Sequence, residues 1–162
     1  MRVACLALLV LLGLSTGTGE ASPPSHCRAG DIRRALASFV SAYDRGDRRR
    51  LDSLFAEEPE FEWYSTNGPG RRLGGEAKQR RTLLPYFEAR HARHDRLAWR
   101  SFQFNGGTRR YGNFQFGMWR SADGFNRGGR FPVWGKGAAI CDRHSTRFIV
   151  LSFGVPPLRR PA

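Results

Sequence analysis

Phe39-Val40-Ser41-Ala42-Tyr43-Asp44-Arg45-Gly46-Asp47 closes one helix and opens the next. Upstream of it, Ile32 and Leu36 continue the one-turn spacing of Phe39, Val40 and Tyr43, so these side chains form one apolar stripe. Asp31 is placed to cap that helix at its start. Gly46 ends it, because glycine accepts the left-handed conformation of a helix C-terminus. Asp47 then caps a short second helix, Leu51-Asp52-Ser53-Leu54-Phe55-Ala56, whose Leu51, Leu54 and Phe55 face a core and which Pro59 stops. A strand follows at once: in Phe61-Glu62-Trp63-Tyr64-Ser65, large apolar residues alternate with polar ones.

Beyond this the periods remain readable. A third helix is expected over about Thr82 to His91, burying Leu83, Leu84 and Phe87, with Pro85 near its start. From Leu97 the period changes to two. Strands are predicted over 97–104, 111–120, 131–141 and 146–153, with Asn105-Gly106-Gly107 and Ala122-Asp123-Gly124 as turns. Asn67-Gly68-Pro69-Gly70 reads as a further turn, and residues 71–81 give no clear signal. The order α-α-β-α-β-β-β-β indicates an α+β fold, a curved antiparallel sheet wrapped around about three helices.

The helix-to-helix junction, the Leu51–Ala56 segment and the strand at Phe61–Ser65 resemble the nuclear transport factor 2-like / SnoaL-like superfamily, whose fold is the cystatin-like cone. The resemblance covers about Asp31 to Phe153. It implies a conical pocket between the concave sheet and the helices. Members include isomerases, cyclases and dehydratases as well as ligand-binding and dimer-forming proteins. Function transfers across such a superfamily far less well than fold.

The N-terminus carries a different message. Arg2, the apolar run Val3–Leu14 and the small residues up to Ala21 have the layout of a secretory signal peptide, with cleavage expected after Ala21. The run is too short for a stable membrane span, which needs roughly 20 apolar residues. The remaining chain divides into a lead-in at 22–30, one domain at 31–154 and a tail at 155–162. Of three cysteines, Cys5 leaves with the leader, and Cys27 and Cys141 remain as a pair in an oxidising compartment. A disulfide between them is expected.

The net charge is +13, carried almost wholly by Arg, since only Lys78 and Lys136 are Lys. The arginines are dispersed and form no block of five or six like charges. This pattern, with export, argues against a nucleic-acid partner and for a solvated basic surface.

Candidate chemistry is sparse. Glu62 and Tyr43 are the weak candidates for a pocket acid-base role, although alternation with Phe61 and Trp63 turns Glu62 outward. Trp63, Tyr86, His91, Asn113, Gln115 and Lys136 are candidates for lining a ligand pocket. His91 and His94 have a spacing that can share a metal, but the cationic run Arg90–Arg96 disfavours a cation, and no metal or cofactor is expected. The expected function is an exported, non-catalytic domain binding a small apolar ligand or a protein, with a homodimer through the sheet. The alternatives are a pocket acid-base enzyme of the isomerase/dehydratase type and a protein binding the anionic cell envelope.

Overall fold

The computed structural model describes residues 27–67, 72–124 and 126–155. The expected leader, the start of the lead-in, the centre of the turn at Asn67–Gly70 and the tail from 156 lie outside the described residues.

Helix α1 runs over Ala29–Arg45 and buries Ile32, Leu36, Phe39 and Tyr43, the stripe expected from the spacing. Gly46 ends it in the left-handed region at φ 67°. Its start differs from expectation. The N-cap is Arg28, with no side-chain cap, while Asp31 sits in the first turn and pairs with Arg34. Helix α2 spans Arg48–Ser53, and Asp47 caps it by accepting from the Arg50 amide at 3.0 Å.

Strand β1 covers Glu62–Asn67, β2 Arg72–Ala77, β3 Arg96–Gly107, β4 Tyr111–Ser121, β5 Phe131–Cys141 and β6 Thr146–Val155; helix α3 covers Arg80–His91. Together the strands form one six-stranded sheet in the order β2-β1-β6-β5-β4-β3. The sheet is curved, unclosed and mixed. All neighbours are antiparallel except β1 and β6, which run parallel with Trp63 opposite Leu151.

Two local expectations change. Strand β2 occupies part of the segment that gave no signal, because Arg72-Leu73-Gly74-Gly75-Glu76-Ala77 has no apolar alternation to announce it. The residues Asn105-Gly106-Gly107 are not a turn but continue β3 across a bulge, where Gly106 takes φ 95°. The reversal comes later, where Thr108 Oγ1 accepts from the amides of Arg110 and Tyr111.

The helices lie on the concave face of the sheet, and aromatic rings fill the space between. Phe39 of α1 meets Phe55, Trp63, Phe87, Phe148 and Phe153 at centroid distances of 5.7 to 6.4 Å. Such edge and tilted pairs add to the burial of large apolar area that dominates the core. Cys27 and Cys141 form a disulfide, with Cα atoms 5.3 Å apart, that ties the start of α1 to the end of β5 across a sequence separation of 114.

Candidate functional site

Buried charge marks the interior. Among the described residues the buried charged side chains are Arg90, Asp95 and Arg120. Arg90 comes from the last turn of α3, Asp95 from the link to β3, and Arg120 from the inner face of β4. Tyr43 reaches them from α1, and Ser65 from β1.

The donors converge on one carboxylate. Asp95 Oδ2 accepts from the Tyr43 hydroxyl at 2.9 Å, from Arg90 Nε at 2.5 Å and from Arg120 Nη2 at 2.6 Å. Arg120 Nε also reaches Oδ1 at 3.0 Å, while its Nη1 donates to Ser65 Oγ at 3.0 Å and to the Thr66 carbonyl at 2.7 Å. Its guanidinium lies 5.2 Å from the Phe153 ring centroid. Burial opposes the charge on Arg120, but the hydrogen bonds and field of Asp95 outweigh it and hold the guanidinium above its ordinary value. The Tyr43 hydroxyl is pushed well up, first by burial and further by Asp95, against the opposing pull of Arg120.

Two donors beside this cluster are unpaid by hydrogen bonds. Trp63 Nε1 and Tyr86 Oη are buried without a hydrogen-bond partner among the described residues. The Tyr86 ring packs on Gly75 of β2, where an added Cβ would come within 2.4 Å of it. Buried polar groups are nearly always satisfied, so orphaned donors single out a place in the core.

The sequence candidates distribute as follows. Tyr43, Trp63 and Tyr86 lie in or beside the cluster. Glu62 is on the opposite side of β1, with its side chain 40% exposed; it lies 3.6 Å from Lys78 Nζ and accepts from the Tyr64 hydroxyl at 3.1 Å. His91 packs against Gly46 at the end of α1, and Arg96 Nη1 lies 3.4 Å from its Nδ1. His94 turns the other way, its Nδ1 2.7 Å from Asp123 Oδ2, so the two histidines face separate partners. Asn113, Gln115 and Lys136 are on the outer face of the sheet, where Gln115 stands opposite Lys136. The same outer face carries Arg100 stacked between Trp119 and Trp134, at 5.0 and 4.8 Å.

Nothing in the sequence alone singles out Arg90, Asp95, Arg120 or Ser65 as a cluster. A signal for Arg120 exists. It continues the alternation of Phe114, Phe116 and Met118, which places it on the inner face.

A second concave feature lies outside the cone, at the start of α1. It is an open groove of about 690 Å³ beside the disulfide, lined mainly by polar and charged side chains. No helix among the described residues is long and apolar enough to cross a membrane.

No family model matches the chain, and no curated protein matches it. Solved structures do. A protein of unknown function with a cystatin-like fold from Nostoc punctiforme is 17% identical, with a TM-score of 0.61 over 78% of this chain and 90% of its own. A nuclear transport factor 2-like protein from Novosphingobium aromaticivorans is 12% identical, with a TM-score of 0.60 over 79% and 81%. A candidate dehydratase of the same family from Streptomyces avermitilis is 11% identical, with a TM-score of 0.59 over 80% and 96%. With its helices on the concave side of one curved sheet, the chain has the cystatin-like fold of the nuclear transport factor 2-like proteins.

Proposed function

We propose that the protein is an exported, disulfide-stapled binding domain whose interior does no acid-base chemistry. One observation carries this reading. The buried carboxylate of the cone, Asp95, is committed to Arg90, Arg120 and Tyr43, so its lone pairs serve the fold. A pocket base needs an uncommitted oxygen within reach of a substrate proton. Glu62, the other carboxylate considered for that role, faces away from the aromatic interior. Export is supported by the leader-like N-terminus and by the disulfide, which persists in oxidising compartments.

A second reading, a dehydratase-like or isomerase-like enzyme, draws on the orphaned Trp63 Nε1–H and Tyr86 O–H, which are donors suited to a carbonyl or oxyanion. Incubation of the oxidised protein in deuterated water with a panel of ketones and β-hydroxy carbonyl compounds separates the two. The binding reading expects no deuterium at the α-carbon above background and no dehydrated product. Exchange or dehydration that disappears in Tyr86→Phe establishes the enzyme instead.

A further inference from the structure

We propose that the groove between the start of α1 and the β5–β6 turn binds a compact ligand carrying two or more phosphate groups. The proposal rests on the reading of the protein as a binding domain and names the ligand class. At about 690 Å³ the groove falls within the size range of small-molecule sites and exceeds what one phosphate fills. Five arginines line it: Arg28, Arg34, Arg50, Arg143 and Arg147. They arrive from three separate regions, the start of α1, helix α2 and the β5–β6 turn with the first residues of β6. Guanidiniums converging from several directions suit a tetrahedral oxyanion, whereas a planar carboxylate is satisfied by a single fork.

The two aspartates of the groove do not cancel this charge at its centre, because each is engaged locally. Asp31 pairs with Arg34 within the first turns of α1. Asp142 Oδ1 accepts from the amides of His144 and Ser145 at 2.9 and 2.7 Å, and Oδ2 from Ser145 Oγ at 2.7 Å and from Arg147 Nη2 at 3.3 Å. Asp142 therefore fixes the turn that presents Arg143. Among the described residues no ion pair engages Arg28 or Arg143, and Arg147 Nε is buried without a hydrogen-bond partner. Helix α1 also begins here with no side-chain cap, so the positive end of its dipole adds to the field of the arginines.

The disulfide builds the groove. Cys27 directly precedes Arg28, and Cys141 directly precedes Asp142 and Arg143, so the bond joins the wall made by α1 to the wall made by the turn. The concavity selects among phosphate sources. A flat bilayer meets only the rim, while a small free polyphosphate fits within the volume that the arginines line.

Titration calorimetry of the oxidised protein with inorganic triphosphate in low salt is the test. Binding is expected, weakened about tenfold or more in Arg28→Ala/Arg143→Ala, as charge-assisted contacts of this kind predict. The pair Arg81→Ala/Arg109→Ala removes the same charge outside the groove and is expected to change affinity less than about twofold. Thermal unfolding confirms that both variants fold, as substitutions at exposed positions should. No binding, or equal loss in the two variants, overturns the proposal. Binding to phosphatidylglycerol vesicles that triphosphate does not displace overturns it in favour of a membrane surface. The deuterium-exchange assay is independent of these titrations, so a failure of the groove and a failure of the non-catalytic reading are told apart.

Discussion

Asp95 and Arg120 form an ion pair at 2.6 Å in which both side chains are 0% exposed. The pair connects elements far apart in sequence, because Arg120 also holds the end of β1 through Ser65 and Thr66. Taking two charges out of water is unfavourable, and only complete hydrogen bonding offsets it. Removing one partner leaves an uncompensated buried charge. Asp95→Asn and Arg120→Met are each expected to lower stability by about 3–5 kcal/mol in urea unfolding. The double variant should lose less than the sum of the two. Strictly additive losses would show that the pair is not coupled.

Tyr43 donates to the same carboxylate, and its hydroxyl is held well above its ordinary value of 10.0. Tyr43→Phe should lower stability at neutral pH by about 1 kcal/mol, the usual worth of such a bond. The pH dependence has a definite sign. Above pH 10 the unfolded chain releases this proton while the folded chain retains it, so stability falls as pH rises. Tyr43→Phe lacks that loss, and the gap between the two proteins should narrow above pH 10. A gap that stays constant into the alkaline range would remove Tyr43 from the titration.

The local part of this architecture is legible in the sequence, and the long-range part is not. Helix α1 and the inward faces of β1 and β4 follow from spacing alone, since Ile32, Leu36, Phe39, Trp63 and Phe116 bury whatever else happens. Strand β2 is held by its pairing with β1, and its Gly75 leaves room for the Tyr86 ring, a demand that only the tertiary fold makes. Asp95 reads as solvated within Arg90-His91-Ala92-Arg93-His94-Asp95-Arg96, because the residue that buries it is Arg120, 25 positions away. The parallel register of β1 on β6 is invisible for the same reason. The charged groove is likewise long-range, since the segments carrying Arg28 and Arg143 are joined by a disulfide across 114 residues.

The small residues of β5 have a stated task. Gly135 stands opposite Phe116 and Gly137 opposite Phe114, and the two rings occupy the space that Cβ atoms would take. At Gly137 a Cβ would lie 2.4 Å from Phe114 Cζ and 2.7 Å from the Val150 carbonyl, which cannot both yield. Gly137→Ala should lower stability by about 2 kcal/mol through overpacking. Gly30→Ala, in the first turn of α1 with only Arg34 Nη1 at 3.6 Å, should be neutral or stabilising. Equal behaviour of the two variants in thermal unfolding would refute this account of β5.

The Cys27–Cys141 bond closes most of the domain into one loop, across a separation of 114 residues. In the chain-entropy view a loop of that length contributes about 4–5 kcal/mol. The paired variant Cys27→Ser/Cys141→Ser should therefore unfold at a markedly lower urea concentration. It should also bind triphosphate less well than the oxidised protein under conditions where both are folded, because the groove walls are no longer joined. Undiminished binding by the folded variant would separate the groove from the disulfide.

Asp142 provides an acid-side counterpart to Tyr43. The Ser145 hydroxyl, the His144 and Ser145 amides and Arg147 favour its charged form, lowering its carboxyl to about 2 from 3.8. Such a group adds stability above its unfolded value, and that contribution disappears as pH falls from about 4 towards 2. The site is largely solvent-facing, so the contribution is below about 1 kcal/mol after screening. Asp142→Asn should be slightly less stable than the parent at pH 7 and indistinguishable from it at pH 2. The same variant frees Arg147 from its ion pair with this carboxylate while loosening the turn that presents Arg143. Triphosphate affinity then reports which effect wins: tighter binding means that charge dominates the groove, and weaker binding means that the geometry of the turn does.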